Sequence, residues 1–539
     1  MKTNTSARNI DGSCVLKFRE NGGKALKCLS VSAAIFLNLL TLGRAADKPN
    51  ILIIFSDDHA CHAISAYGSK INKTPNIDRI AENGAIFRNS FCANAICGPS
   101  RACLMSGKHS HANGFVHNWG KSFDGTQPTL FNVLKNGGYQ TAIVGKWHLG
   151  DFPTDAYGFD YWDLWKGGYY NPEFDSRAGH YTVKGYSTEV ITEKVMDWIG
   201  KRDKTKPFIA LCAYNAPHRT WAPPIKYLNR YKDQTIPEPE TLFDNWENRT
   251  DAMKSNRQSI RNHFYYSYDL KVNDTVPFAS DRENQLKSRE YKRMSAEDQK
   301  AWDAAYGPEN RAFIEAAPTG KDLVRWKYQR YIKDYLRCVD SLDDNVGRLL
   351  DCLDKDGLLE NTIVIYSSDQ GFFLGDHGFY DKRWMFEEAF RMPFLISWPG
   401  KIKPGTSYAQ MIQNIDYAPT LIDAAGISVP GEMQGCSMLP IFEDKATAWR
   451  NSVYYHFYEH GGEHNAPRHE GVRTERYKLI NFYSNGGFNL FDLKNDPHEM
   501  QDLSKNPEYR EVMEKMKTEL QKLRKQYDLP PLQHAQDEE

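Results

Sequence analysis

Four mostly apolar runs along the chain have the pattern of strands that are buried on both faces. They cover residues 50–56, 140–144, 208–214 and 362–368, and such continuous runs are typical of parallel sheets. Polar residues follow each run directly. Because the carboxyl ends of parallel strands lie at one edge of a sheet, the sequence predicts that these polar residues meet there.

Helical periodicity separates the predicted strands. Apolar positions three and four residues apart predict helices over 76–83 and 188–201, and a longer helix through the stripe from Tyr328 to Leu353. Strands that alternate with helices predict an α/β fold, with a mainly parallel sheet flanked by helices on both faces.

The pattern changes after about residue 440. Short aromatic, β-prone runs at 452–458, 476–483 and 487–493 are joined by Gly and Asn, and a charged helical pattern covers about 507–527. We therefore expect a main domain over 46–440 and a smaller C-terminal subdomain over 441–539, built from an antiparallel sheet and a helix. The polar, helix-prone residues 227–320 are predicted to be an insertion over the site.

The first residues have the features of an export signal. Residues 29–42 form a 14-residue apolar run behind Lys24 and Lys27, and the small residues Gly43 and Ala45 follow it. Such a run is too short to span a bilayer. The sequence predicts a signal peptide over 1–45, a secreted or periplasmic protein and no membrane span.

Charge and cysteine content exclude several classes of protein. The chain has 68 Lys and Arg against 69 Asp and Glu, so no global field attracts nucleic acid or an anionic membrane. An anionic substrate must therefore be held by local charges. The ten cysteines lack the spacing of a disulfide scaffold or a zinc site.

The most informative stretch is 97–108, which reads CGPSRACLMSGK. Pro99 favours the first position of a helix, so Cys97 is predicted just before a helix N-terminus, where free N–H groups favour an anion. A lone cysteine there is usually a small buried hydrophobe. The whole string, however, resembles the signature of the type I sulfatases, in which this cysteine is oxidised to formylglycine.

Further motifs extend the resemblance from about residue 48 to about residue 505, in the order found in that family. The branch that the chain resembles contains bacterial glycan sulfatases, namely N-acetylglucosamine-6-sulfatases or mucin-desulfating enzymes, and algal polysaccharide sulfatases. The resemblance implies an alkaline-phosphatase-like fold. The matching segments are Asp57-Asp58, Gly145 to Gly150, Ala216-Pro217-His218, Ser368 to Gly371, Asp381-Lys382-Arg383 and the C-terminal stretch from Arg473 to Glu499.

Hard oxygen ligands are present at two of the strand ends. Asp57, Asp58, Asp369 and the amide oxygen of Gln370 suit calcium better than a thiolate-binding metal. Any single Asp here would more often be a turn former. The resemblance implies that the set binds one Ca²⁺ together with the modified Cys97. The family more often has Asn at the position of Gln370.

The resemblance also implies a reaction. A hydroxyl group of the hydrated formylglycine attacks sulfur, and the second hydroxyl group later expels sulfate. His218 is then the general acid for the leaving oxygen and His148 assists deprotonation. Arg101 holds the modified residue and a metal-ligating carboxylate, and Lys146 and Lys382 bind the sulfate oxygens. Arg383 beside Lys382 is an alternative sulfate ligand.

The sequence leaves the substrate open among several candidates. The preferred hypothesis is a sulfated carbohydrate such as N-acetylglucosamine-6-sulfate, with a formylglycine-generating maturation enzyme as partner. The alternatives are ulvan or another algal polysaccharide, a phosphonate or phosphodiester substrate, and a non-catalytic glycan-binding protein with an unconverted Cys97. Trp221, Trp246 and Trp384 are either platforms for sugar rings or core residues.

Overall fold

The computed structural model describes residues 48–272, 289–445, 448–484 and 486–532. The predicted signal peptide lies outside the described residues. A ten-stranded mixed sheet forms the centre of the fold, in the order β12-β2-β11-β8-β1-β7-β3-β4-β5-β6. The strands are β1 Asn50–Ser56, β2 Ala85–Phe91, β3 Gln140–Lys146, β4 Tyr161–Gly167, β5 Glu173–Ser176, β6 Gly179–Thr182, β7 Phe208–Ala213, β8 Thr362–Ser368, β9 Phe373–Leu374, β10 Tyr380–Asp381, β11 Phe394–Ser397, β12 Thr406–Gln413, β13 Ser452–Phe457, β14 His469–Thr474, β15 Tyr477–Phe482 and β16 Gly487–Asp492.

The four predicted strands are neighbours in this sheet. They run in the order β8-β1-β7-β3, and every pair among these neighbours is parallel. Strand β3 continues two residues past the predicted end at 144, because it pairs with β4 as far as Lys146. Antiparallel pairs occur toward the two sides of the sheet, at β8-β11-β2 and β4-β5-β6. The prediction of a mainly parallel central sheet is confirmed.

The helices also follow the predicted periodicity. The predicted helices at 76–83 and 188–201 correspond to α1 and α5 within one residue, and the long stripe corresponds to α8, which begins eight residues before Tyr328. The α-helices of the described residues are α1 Pro75–Glu82, α2 Cys97–Ser106, α3 Ser110–Asn113, α4 Leu130–Asn136, α5 Ser187–Lys201, α6 Ile260–His263, α7 Ala296–Ala316, α8 Gly320–Lys355, α9 Glu387–Phe390, α10 Tyr417–Ala424, α11 Leu439–Phe442 and α12 Arg510–Gln526.

The central strands are apolar on both faces because each face packs against helices. In β1, Ile51, Ile53 and Phe55 belong to a core that includes residues of α2, α4 and α10. Leu52 and Ile54 point to the opposite face, into a core that includes residues of α1, α5 and α8. The period of two along a strand produces this division. Two helical layers therefore fix the sheet, and the strand ends project polar residues beyond it.

The smaller C-terminal sheet has the order β13-β14-β15-β16 and is antiparallel throughout. Met513, Met516 and Leu520 of α12 pack against this sheet. Strand β14 was not predicted, because its sequence HEGVRT has only one large apolar residue. His469 and Glu470 are nevertheless fully buried in it, and hydrogen bonds replace the apolar signal, including one from the Tyr454 hydroxyl to Glu470 Oε2 at 2.8 Å.

The described part of the predicted insertion, 227–320, contains α6, α7 and short 3₁₀ turns. Leu228, Trp302, Tyr306 and Phe313 share a core with Tyr331 of α8. This segment is therefore packed on the long helix. Within the described residues, no helix has the length and apolar character needed to cross a bilayer.

Gly145, one residue before the end of β3, has a conformation that requires glycine. Its φ is +109°, and a Cβ atom built there would lie 1.9 Å from the carbonyl oxygen of Ala213 in β7. Both the positive φ and the close approach disfavour any side chain. This glycine allows the ends of β3 and β7 to pack closely, so that the residues that follow the two strands lie side by side.

We expect Gly145→Ala to lower the free energy of unfolding by roughly 2–4 kcal/mol, because it combines backbone strain with a steric clash. Urea unfolding followed by circular dichroism measures the change. Gly200→Ala in α5 is the matched control, since a Cβ there has no atom within 4 Å. Equal stability of the two variants would contradict the conclusion that the backbone at position 145 requires glycine.

Candidate active site

The polar residues that follow the four parallel strands meet at one edge of the sheet, as predicted. Asp57 and Asp58 follow β1, and Asp369 follows β8. One carboxylate oxygen of each residue lies within 4.8 Å of one oxygen of each of the others, and all three residues are at most 1% exposed. The backbone N–H of Asp58 donates to Asp369 Oδ1 at 3.1 Å, which ties the two strand ends together.

Three cationic side chains balance the three carboxylates. Lys382 Nζ lies 2.7 Å from both carboxylate oxygens of Asp58, and Lys146 Nζ donates to Asp57 Oδ2. Arg101 donates to Asp369 Oδ2 from Nε at 3.2 Å and from Nη2 at 3.0 Å. Each buried acid therefore has its own cation, as burial of charge requires.

Burial and the neighbouring charges shift the pKa values of the three carboxylates in different directions. Burial would raise the pKa of Asp57, but the Lys146 ammonium group holds it well below its usual value. Burial raises the pKa of Asp58 well above its usual value, against the effect of Lys382. Burial and the charge of Asp57 raise the pKa of Asp369 to about 6. An additional positive charge among them would relieve this repulsion.

Gln370 completes a set of hard oxygen donors. Its Nε2 group donates to Asp58 Oδ1, whereas its Oε1 is buried and has no hydrogen-bond partner among the described residues. A buried carbonyl oxygen without a partner is costly. Three carboxylates with one free amide oxygen fit a hard divalent cation such as Ca²⁺.

Cys97 lies beside this cluster at the start of α2. The helix begins at Cys97 itself, two residues earlier than predicted, with Pro99 still in the first turn, where its missing N–H costs no helical hydrogen bond. Cys97 Sγ lies 3.5 Å from Asp57 Oδ1. Burial and then Asp57 raise the pKa of the Cys97 thiol, so an unmodified thiol here stays protonated and is a poor nucleophile.

The two predicted catalytic histidines border the cluster and are partly exposed. His218 Nε2 lies 3.7 Å from Asp58 Oδ2, and His218 Nδ1 is hydrogen bonded to the Arg219 carbonyl at 2.7 Å. His148 has a φ of +59°, and its Nδ1 has no partner within the described ranges. Burial and then Lys146 lower the pKa of His218 to about 3 and that of His148 well below its usual value.

The structure brings every predicted site residue to this edge. It also gives Lys382 and Arg383 different partners, since the Lys382 ammonium group donates to Asp58 and the Arg383 guanidinium donates to Asp381. Sequence reasoning did not identify Ser100, whose hydroxyl donates to the Asp369 carbonyl, or Glu459, which accepts from the Asn118 N–H at 2.8 Å. Ser100 lies inside the motif at 97–108, but nothing in the sequence singles out Glu459.

The three tryptophans considered as sugar platforms belong to the core. Trp221 and Trp384 are fully buried, and Trp246 packs against the main core with its indole N–H on the His377 carbonyl at 2.9 Å. Trp119, which the sequence analysis passed over, is instead 53% exposed.

The comparisons with known proteins agree with this geometry. A family model described as Sulfatase matches residues 49–427, and one described as N-sulphoglucosamine sulphohydrolase, C-terminal, matches residues 375–526. An N-acetylglucosamine-6-O-sulfatase of Bacteroides thetaiotaomicron is 42% identical over 489 residues, which are 89% of this chain and 87% of that protein. An arylsulfatase of Clostridium perfringens is 25% identical over 86% of this chain and 92% of its own.

A solved structure is similar in fold as well as in sequence. It is a complex with D-glucosamine-2-N,6-O-disulfate as substrate, and it superposes with a TM-score of 0.86 at 42% identity, over 89% of this chain and 98% of that one. The chain therefore belongs to the sulfatase family. It is an enzyme of the sulfuric ester hydrolase class, with the alkaline-phosphatase-like fold that the resemblance implied.

We expect Arg101→Ala to lower the free energy of unfolding of chelator-treated protein by roughly 3–5 kcal/mol, because it leaves the buried Asp369 without its cation. Urea unfolding measures this change. Arg177→Ala is the control, since the Arg177–Asp155 pair is exposed and its loss should change little. A small effect at Arg101 would show that Asp369 does not depend on it for charge balance.

Proposed function

We propose that this protein is a secreted or periplasmic carbohydrate sulfatase that uses one Ca²⁺ and a formylglycine at position 97. The observation that carries the proposal is the buried cluster of three carboxylates, three cations and the unpartnered Gln370 Oε1 directly beside Cys97. The preferred substrate is an N-acetylglucosamine-6-sulfate or a similar sulfated sugar, which the 42% identity to the Bacteroides enzyme supports.

The metal ligands in this proposal are Asp57, Asp58, Asp369 and Gln370, with the modified residue at position 97. A calcium ion there would supply a charge that stabilises sulfate oxygens and lowers the pKa of a bound hydroxyl group. In this structure, Lys146 neutralises Asp57 and Lys382 neutralises Asp58. A cation that took over this role would leave both ammonium groups available to an anionic substrate.

Oxidation of Cys97 would supply a hydrated aldehyde, whose hydroxyl groups provide the nucleophile that the protonated thiol lacks. The enzyme that carries out the oxidation of Cys97 in this proposal is a formylglycine-generating maturation enzyme. Arg101 holds Asp369 and also donates to the Lys146 carbonyl at 3.0 Å, so it fixes the ends of β8 and β3 around the nucleophile. Lys146 and Lys382 bind the sulfate oxygens.

Proton transfer falls to the two histidines. His218 donates a proton from Nε2 to the leaving ester oxygen, and His148 accepts a proton from the hydroxyl group at position 97. Burial and then Lys146 lower the pKa of both imidazoles, which favours their neutral forms in the free protein. An anionic sulfate ester would raise the pKa of His218, so substrate binding itself would favour the acid form.

A large cavity beside His218 offers space for the sugar. It has a volume of about 1100 Å³. Its described lining contains basic residues, of which Arg219 and Lys271 are paired with the buried Asp269 and Asp334. The remaining basic residues of the lining, which include Lys292 and Arg311, are the candidates to meet a sulfated, anionic glycan.

The domain arrangement of this proposal follows the sequence. Residues 1–45 are a signal peptide, 46–440 form the catalytic domain with 227–320 as an insertion over the site, and 441–539 form the smaller subdomain. The apolar run at 29–42 behind Lys24 and Lys27 supports export.

We expect Cys97→Ala to abolish sulfate release from a panel of sulfated monosaccharides and polysaccharides, including N-acetylglucosamine-6-sulfate and ulvan fragments, while the fold is retained. Ion chromatography of released sulfate measures activity, and peptide mass measures the conversion of Cys97. Cys103→Ala in the same helix is the control, because Cys103 is buried away from the cluster and contacts Ser110. Wild-type activity in Cys97→Ala would show that the nucleophile does not come from position 97. Turnover of an aryl phosphodiester in place of every sulfate ester would favour the phosphorus substrate.

We expect chelation to remove activity and added Ca²⁺ to restore it. In calorimetric titration, Asp58→Ala should weaken Ca²⁺ binding by at least about tenfold, because the number of charged ligands sets the affinity of such sites. Asp343→Asn is the control, since Asp343 is a buried acid on α8 that accepts from the Ile77 N–H at 2.8 Å. Equal Ca²⁺ affinity of the two variants would exclude the proposed metal set.

A further inference from the structure

A short loop over 117–119 contacts the first turn of α2. Asn118 Oδ1 accepts a hydrogen bond from the Gly98 N–H at 2.9 Å, one residue from Cys97. The Asn118 N–H in turn donates to Glu459 Oε1 at 2.8 Å. The loop therefore connects the nucleophile position to the segment that follows β13.

Trp119 presents an exposed aromatic face on this loop. Its ring stacks on His117 with centroids 5.6 Å apart and an interplanar angle of 4°. The His117 Nδ1 is hydrogen bonded to the Trp119 carbonyl at 2.8 Å. Among the described residues only Trp119, Phe152 and Ile314 are large exposed hydrophobics, and an ordered exposed Trp is typical of binding surfaces.

Glu459 provides a polar group next to the loop that carries this ring, through its hydrogen bond with the Asn118 N–H. It is 5% exposed, and its Oε2 accepts no hydrogen bond from any residue in the described part of the chain. Burial raises the pKa of Glu459, and the charges of Arg383, His117 and Lys382 oppose this effect. Through Asn118, Glu459 is joined to the residue that follows Cys97, which places it near the proposed nucleophile.

We propose that Trp119 and Glu459 form a sugar-binding subsite of this enzyme. The apolar C–H face of a pyranose ring packs on the free face of Trp119, and a sugar hydroxyl or amide N–H donates to Glu459 Oε2. An aromatic surface with one well-placed polar group is the usual composition of such sites. The subsite rests on the proposed function, and it specifies a carbohydrate rather than a small aliphatic sulfate ester as substrate.

The subsite can be tested with full-length enzyme whose Cys97 conversion has been quantified. We expect Trp119→Ala to lower kcat/KM for the best sulfated sugar about tenfold, mainly through KM, which corresponds to about 1.4 kcal/mol. Trp119→Phe retains an aromatic face and should stay within about threefold of wild type. Phe152→Ala is the matched control, because Phe152 is 51% exposed, stacks on Trp162 with centroids 5.9 Å apart and is not among the residues that line the cavity.

Glu459→Gln tests the polar half of the subsite. The amide oxygen still accepts from the Asn118 N–H, so the loop stays anchored while the charged Oε2 is lost. We expect a rise in KM of about tenfold with an unchanged melting temperature and unchanged Ca²⁺ affinity by calorimetry. A fall in kcat together with Ca²⁺ affinity would instead indicate a structural role and overturn the subsite.

The outcomes separate this subsite from the proposed function. If wild-type enzyme releases sulfate from sugars and Trp119→Ala does so with unchanged KM, the subsite is wrong and the sulfatase assignment stands. If wild-type enzyme with a converted Cys97 releases no sulfate from any sugar, the carbohydrate proposal itself fails and the subsite fails with it.

Discussion

The burial of three carboxylates at the ends of two adjacent parallel strands is the constraint on which the rest of the site depends. Asp57, Asp58 and Asp369 are almost inaccessible to water, and charges in such a place require compensation. Three other segments supply it, through Arg101 of α2, Lys146 at the end of β3 and Lys382 after β10. Much of the fold is thus organised around a local charge balance.

The sequence predicted the central architecture because its signals are simple. Strands β1, β3, β7 and β8 are continuous apolar runs, and the polar residues after them had to converge once the strands were parallel. Strand β14 was missed because His469 and Glu470 are buried through hydrogen bonds rather than through apolar character. Hydrophobic patterning carries no information about that kind of burial.

The site was predictable in composition and less so in its connections. Strand ends, the motif at 97–108 and the sulfatase-like segment 381–383 identified the acids, the cations and the histidines. The pairing of each lysine with one particular aspartate could not be predicted, because it depends on the path of loops between distant strands. For the same reason the sequence did not distinguish the buried Trp221 and Trp384 from the exposed Trp119, since exposure of an aromatic residue is decided by tertiary packing.

The depth of Cys97 has a consequence for the order of events during biogenesis. The residue is 1% exposed and lies in the first turn of a helix, and the N–H of the next residue, Gly98, donates to Asn118 Oδ1. The folded protein therefore offers almost none of this sulfur to a second protein. If position 97 is oxidised by a maturation enzyme as proposed, that step would have to precede the completion of folding, and folding would set the time limit for it.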